Sequence, residues 1–484
     1  MDPSLAELTR LAEGHLRTGA TGQAIDVYRA VLARNDRNAD AWYNLAWLQR
    51  QARDFDSALA SYGAALANGI AGPEDVHVNR AVILSEHLGR DGEAEVELQA
   101  AITAKPGFLS AWLNLGLLFE DRGDRAGARA AYARAASINP LLGRAHARLA
   151  AIDVVEGDAR GAERRLEILL GAPGLMPEDA AEAGFALGNA LDALGDYDAA
   201  FAAFVEANRV ARLLIPPPLR YDRQAQDRLI DDLIAAFPGE DRSAPASNGT
   251  PPVFICGMFR SGSTLCERLL ARHSRVTAGG ELETIPATVA ERLQPYPASL
   301  SGLGAGALDD LRRFYLREVA SRFPDADVVT DKRCDNVLHI GLIKTLFPGA
   351  KIVHTRRHAL DNILSVFFLY FDDSISYGFS LDDAVHYYKN YRRLMDHWRA
   401  LYGADILDFN YDAVVSDSEP TIRALLDFCG LEPQAACLAG QAAEGVVRTA
   451  SAWQVRQPLH ARSSERWRNY AAHIPEAIAA LEGY

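Results

Sequence analysis

Val253-Phe254-Ile255-Cys256 runs directly into Gly257-Met258-Phe259-Arg260-Ser261-Gly262-Ser263-Thr264-Leu265. The first four residues are continuously apolar, as a strand buried on both faces of a parallel sheet requires. An amphipathic helix is expected next, with Leu265, Leu269 and Leu270 on one side and Glu267 and Arg268 elsewhere. Strand, Gly-bounded loop and helix together form the arrangement that cradles a phosphate-like anion. Backbone N–H groups converge in the loop, and the helix N-terminus adds partial positive charge. A second buried strand is expected at Lys351-Ile352-Val353-His354-Thr355, ending in Arg356-Arg357.

The spacing Gly257-x4-Gly262 imitates the nucleotide loop GxxxxGK[ST], but Ser263 stands where the Lys belongs. The basic group lies inside the loop instead, as Arg260. That departure disfavours an ordinary ATPase or kinase and leaves a P-loop kinase-like phosphotransferase as an alternative.

The first half of the chain is periodic. Trp42-Tyr43-Asn44-Leu45-Ala46 is echoed by Trp112-Leu113-Asn114-Leu115-Gly116, followed in phase by Ala58 and Ala128, Tyr62 and Tyr132, and Ala65 and Ala135. Pro106 and Pro140 close units. The pattern resembles the tetratricopeptide repeat (TPR), whose period is about 34 residues. Units are expected from near Leu5, Ala39, Asp75, Leu109, Gly143 and Ala181, the last reading Gly188, Ala200, Phe204 and Ala207. Each is a helical hairpin that cannot bury its apolar face alone, so about six stack into a superhelix with a concave groove. The sixth places read Arg10, Asn44, Arg80, Asn114, Arg148 and Ala186. They are expected to offer hydrogen-bond donors to an extended, acidic peptide. The carboxylate clamp known in such arrays is incomplete, because its Lys and Asn places hold Thr9 and Glu13.

Composition narrows the function classes. The 484 residues carry 50 Lys+Arg and 64 Asp+Glu, a formal charge of −14. That balance argues against a nucleic-acid partner. Residues 1–214 hold 21 Lys+Arg and 30 Asp+Glu, so −9 of the −14 lies in the repeats. No apolar run approaches the roughly 18 residues of a membrane span. Met1-Asp2-Pro3-Ser4-Leu5 lacks the basic and apolar regions of a signal peptide. The five cysteines form no CxxC pair, so neither a metal site nor a disulfide framework is expected, and a cytoplasmic location is. Ile215-Pro216-Pro217-Pro218 stops the array, one helix is expected over Gln224 to Phe237, and residues 238–252 are polar and turn-rich. The expected domains are repeats over 5–214, a linker over 215–252, and an α/β/α P-loop-like domain with a central parallel sheet over 253–484.

From about residue 250 to 470 the chain resembles sulfotransferases that use 3′-phosphoadenylyl sulfate (PAPS). Specifically, it resembles the protein-tyrosine sulfotransferases and the bacterial TPR–sulfotransferase fusions. The segments that carry the likeness are Val253–Leu265, Gly280-Glu281, Thr330-Asp331-Lys332, Lys351–Ser365, Asn410-Tyr411-Asp412 and Ser451–Trp467. The resemblance implies that Arg260, Ser261, Gly262, Ser263 and Thr264 hold the 5′-phosphosulfate. It implies that Arg357 and Ser365, eight residues apart, hold the 3′-phosphate, with Arg356 a neighbour. Glu281 falls where the family has its general base, and Glu283 competes for that role. Arg260, Lys332 and Ser451 fall where the family stabilises the transferring group. Tyr411 and Arg466 fall where it contacts the nucleotide. Past Lys332, Arg333-Cys334-Asp335-Asn336 departs from the Met-Pro-x-Asn common in the fusions, which puts the local loop shape in question.

The expected activity is sulfuryl transfer from PAPS to a hydroxyl, with adenosine 3′,5′-bisphosphate as product and no metal. The acceptor is expected to be tyrosine in a peptide or protein brought by the TPR groove, without membrane or nucleic-acid partners. A non-catalytic TPR scaffold with a nucleotide-binding domain is a further alternative.

Overall fold

The computed structural model describes residues 5–17, 20–239, 251–438 and 464–483. The chain divides into two compact units, one of Met1–Leu175 and one that begins at Met176.

The first unit is built of helical hairpins: α1 (Leu5–Arg17) with α2 (Thr21–Arg34), α3 (Ala39–Gln51) with α4 (Phe55–Ala67), and α5 (Pro73–Val82) with α6 (Asp91–Ala104). Then come α7 (Leu109–Arg122) with α8 (Arg125–Ile138), and α9 (Gly143–Val155) with α10 (Ala159–Leu170). The expected periodicity has a direct packing cause. A Cβ on Gly116 would lie 2.4 Å from the ring of Tyr132, so this small residue lets an aromatic from the paired helix settle against the backbone. Aspartates start three of the second helices: Asp54, Asp124 and Asp158 each accept the N–H three residues on.

The second unit opens with a sixth hairpin, α11 (Pro177–Leu194) and α12 (Tyr197–Leu214), followed by α13 (Arg223–Ala236). The compact units thus part before the sixth repeat, whereas the repeat pattern puts the boundary after residue 214. The reason is apolar. Phe204 of α12 stacks on Phe368 with ring centroids 4.0 Å apart, and Asn208 donates to the Phe367 carbonyl at 2.8 Å. The stretch expected as a linker is also core: Ile230 and Leu233 are fully buried, and Phe237 packs edge-on against Trp398.

A five-stranded parallel sheet follows. Its strands are β1 (Val253–Gly257), β2 (Val276–Thr277), β3 (Val328–Lys332), β4 (Ile352–Arg356) and β5 (Ile406–Asn410), in the order β2-β3-β1-β4-β5. Val253 and Ile255 pack on one face, with Leu269, Leu425 and Leu426; Phe254 and Cys256 pack on the other, with Tyr315, Phe347 and Trp398. The helices that cover the faces include α14 (Ser263–Leu270), α15 (Thr284–Arg292), α16 (Ala305–Arg322), α17 (Ile340–Leu346), α18 (Ala359–Phe367), α19 (Leu381–Tyr402), α20 (Tyr411–Ser416) and α21 (Ser418–Phe428). The fold class is therefore the expected one: helical repeats, then a layered domain around a parallel sheet. The chain passes from β3 across β1 to β4, and ligands in such sheets bind at that switch, outside the strand ends. Among the described residues, no helix is long and apolar enough to cross a membrane.

Candidate active site

Beyond β1 the chain turns through three left-handed residues, Gly257 (φ 152°), Arg260 (φ 69°) and Gly262 (φ 103°). Both glycines are required by close approach as well. A Cβ on Gly257 would fall 2.4 Å from the Thr355 carbonyl oxygen of β4, and one on Gly262 would fall 2.9 Å from Tyr411 Cδ2. Arg260 is strained by the same turn, which carries its side chain towards α18. Its Nε donates to Ser365 Oγ at 3.2 Å. Ser365, expected with Arg357 at a phosphate, therefore rests on the loop arginine.

Arg357, just past β4, lies over the ring of Tyr411 at 5.2 Å. Its neighbour Arg356 turns away to Asp408, at 3.1 Å. Arg466 begins a short 3₁₀ segment, Arg466–His473. That segment is tied to α18 by Asp361, whose oxygens accept the N–H groups of Glu465 at 2.7 Å and Trp467 at 2.8 Å. The Arg260, Arg357 and Arg466 guanidiniums repel one another. Burial and Arg357 push Arg260 down to about 10, and burial lowers Arg357 as well. Like charges gathered in a half-buried place favour an anion between them.

The loop hydroxyls behave differently. Ser261 Oγ pairs with Thr355 Oγ1 at 2.7 Å, and Ser263 Oγ faces Cys334 Sγ at 3.5 Å. Burial raises the Cys334 thiol to about 11, so it stays protonated. Thr264 is buried in the first turn of α14. These side chains hold the loop's shape, as does the Ser261 N–H, which donates to the Met258 carbonyl at 3.1 Å.

At the end of β3, Lys332 is 2% exposed and donates to Glu281 Oε1 at 2.5 Å. Burial lowers its proton affinity, but Glu281 and Glu267 outweigh that, and the net shift is upward. Glu281 itself is half exposed, with one side to the lysine and one to solvent. Glu283 is held elsewhere, by Arg333 at 2.5 Å, and Arg333 also grips Asp335. The two candidate carboxylates are thus separated: Glu281 shares the buried Lys332, and Glu283 belongs to the Arg333 turn.

Helical periodicity places Glu267 away from the apolar face. The structure buries it. Its Oε1 accepts from Thr330 Oγ1 at 2.7 Å and from the Gly280 N–H at 3.0 Å, directly before Glu281. Burial raises its pKa, and Lys332 works against that rise. The available signal was its position three residues after Thr264, one helical turn along the face that starts at the loop. Ser451 lies outside the described residues, as does most of the segment Ser451–Trp467. Among the described residues, no group of acidic, His and Cys side chains is arranged to hold a metal ion.

In the repeats, the expected donor ladder is largely engaged. Arg80 pairs with Glu97 at 2.7 Å and donates to the Leu59 carbonyl, Arg148 reaches Glu120 at 3.1 Å, and Asn114 bonds its own helix at Ser110. Of these, the Arg80–Leu59 and Arg148–Glu120 contacts join repeat to repeat.

The sulfotransferase family matches residues 251–435. Tetratricopeptide families match residues 9–76, 45–107 and 88–142, and residues 181–212. An uncharacterized protein of Aquifex aeolicus (strain VF5) is 30% identical over 333 residues, which cover 66% of this chain and 43% of that protein. Protein FlbA of Caulobacter vibrioides is 28% identical over 197 residues, covering 34% of this chain and 33% of FlbA. The chain therefore spans less than half the length of either relative. Among solved structures, a tetratricopeptide repeat protein from Parabacteroides merdae is 21% identical with TM-score 0.35, covering 42% of this chain and 78% of that one. PilW, a type IV pilus biogenesis factor, is 22% identical with TM-score 0.34, covering 43% and 94%. Along the chain, matches to tetratricopeptide families thus precede a match to the sulfotransferase family.

Proposed function

We propose that this chain transfers a sulfuryl group from PAPS to a hydroxyl, with tyrosine in a peptide or protein as the acceptor. The observation that carries the reading is the Glu281–Lys332 pair, a half-exposed carboxylate on a buried cation, beside a loop that holds Arg260. A phenol titrates near 10 and needs a base at neutral pH. Glu281 takes the acceptor's proton as its oxygen bonds to sulfur. The bond from sulfur to the bridging phosphate oxygen breaks, and adenosine 3′,5′-bisphosphate leaves. Lys332 and Arg260 meet the negative charge that develops on that oxygen and on the sulfuryl group. Lys332 leaves Glu281 for the donor, and this frees the carboxylate to act as base.

Three arginines and a glycine-cleared loop fit a donor with phosphates at both ends. By resemblance, Arg357 and Ser365 hold the 3′-phosphate, Tyr411 and Arg466 contact the nucleotide, and Ser451 has the role of stabilising the transferring group. Charge from Arg and Lys makes a metal unnecessary. The repeats recruit the acceptor, through surfaces other than the engaged Arg80 and Arg148. The five unpaired cysteines suit a cytoplasmic site of action.

The test is mass spectrometry of tyrosine peptides incubated with the protein and PAPS. A mass gain of one sulfuryl group on tyrosine supports the reading; transfer to small phenols alone moves the acceptor class. Calorimetric titration with adenosine 3′,5′-bisphosphate and with ATP separates this reading from a phosphotransferase, which would prefer ATP.

A further inference from the structure

Arg466 is held from two sides. Its backbone is anchored to α18 through Asp361, which binds the N–H groups on either side of it. Its side chain is held by Asp192, which accepts from Nε at 3.1 Å and Nη2 at 2.8 Å. Asp192 sits in the last turn of α11, in the sixth repeat hairpin. Tyr470, fully buried, also donates to Asp192. The Arg466 guanidinium lies over Phe368 at 5.0 Å, and Phe368 stacks on Phe204 of α12. Phe204 in turn fills the space at Gly188, one turn before Asp192, where a Cβ would be 2.6 Å from its ring. The chain of contacts runs from a repeat-pattern glycine, through two aromatic rings, to a guanidinium beside Arg260 and Arg357.

We infer that the sixth repeat hairpin is part of the nucleotide site, and that Asp192 is a positioning residue that holds Arg466 over Phe368 in the orientation that receives a nucleotide phosphate. The inference rests on the functional reading above. A long arginine free to sample its rotamers loses that freedom on binding, and an arginine already fixed loses less. Asp192 takes donors on one edge of the planar fork, which leaves the opposite edge to meet an anion. The carboxylate also offsets part of the repulsion among the arginines before the anion arrives.

The test is a double-mutant cycle on the full chain, read by calorimetry with adenosine 3′,5′-bisphosphate. Asp192→Asn should weaken binding about tenfold, within the range of coupling between contacting charged groups. Arg466→Ala should weaken it at least as much, and the double variant should bind no more weakly than Arg466→Ala. In turnover, the Asp192→Asn loss should fall on KM for PAPS more than on kcat. Hydrogen exchange on the unmodified chain is a second readout: the bisphosphate should protect both residues 465–470 and the last turn of α11. Asp192→Asn binding as tightly as the unmodified chain or tighter, additive losses in the double variant, or no protection in α11 would each overturn the inference. If the unmodified chain binds ATP well and the bisphosphate not at all, the functional reading falls and this inference falls with it. If it binds the bisphosphate and Asp192→Asn changes nothing, only the inference falls.

Discussion

Glu281 and Lys332 neutralise each other across 2.5 Å, and each role proposed for them depends on that contact opening. Glu281→Gln should lower turnover by about two to four powers of ten, the scale of a positioned general base, while the bisphosphate still binds. Turnover near the unmodified rate would reject Glu281 as the base. His339 supplies a test of a different kind. Burial holds its imidazole down at about 4, against 6.5 when exposed. The unfolded chain takes up this proton as pH falls through about 6.5, and the folded chain waits until about 4. The folded state therefore loses roughly 3 kcal/mol across that window and nothing above it. Urea midpoints at pH 7 and pH 4.5 should fall further for the unmodified chain than for His339→Gln, and equal falls would exclude the imidazole as the cause. At this scale the sequence shows which residue types are present and conceals what they touch. Arg80 and Arg148 stand at the places expected of groove donors, yet Glu97 and Glu120, 17 and 28 residues away, engage them. No local pattern announces such a partner. The burial of Glu267 is concealed for a related reason: helical periodicity finds an apolar stripe but does not register that Thr330 and Gly280 wait on the buried side.

The loop between β1 and α14 shows what a local motif specifies. Its glycines are legible in sequence because only a residue without Cβ turns that tightly. The structure adds what each would strike. Gly257→Ala forces a methyl onto a backbone oxygen of β4 and should cost roughly 3 kcal/mol or more, read as a lower thermal midpoint. A midpoint unchanged from the unmodified chain would show that β1 and β4 separate easily. The pairing of Arg357 with Ser365 is legible as a spacing on one strand end and helix, but the geometry is not. Arg260, more than a hundred residues earlier, takes the Ser365 hydroxyl because the left-handed turn points it there.

The whole molecule divides where its apolar surface divides. A fragment of residues 176–484 should fold cooperatively, since it retains α11 and α12 with their buried Phe204. A fragment of residues 215–484 lacks that ring and leaves Phe368 and Tyr470 bare, so it should aggregate or unfold without a sharp transition. Two equally sharp thermal transitions would show that the sixth hairpin is dispensable to the second unit.

By itself the sequence determined the repeat period, the strand–loop–helix at residues 253–270, and a set of residues suited to an anionic donor. Each is a local matter, written in spacing, helix caps and glycine, and local sterics act at short range along the chain. Tertiary structure alone decided that the sixth repeat belongs with the second unit, that Glu281 rather than Glu283 shares the buried lysine, and that Asp192 holds Arg466. Those outcomes depend on which apolar faces find each other over long separations and on which carboxylate then lies within reach of a buried charge. No period or spacing encodes that.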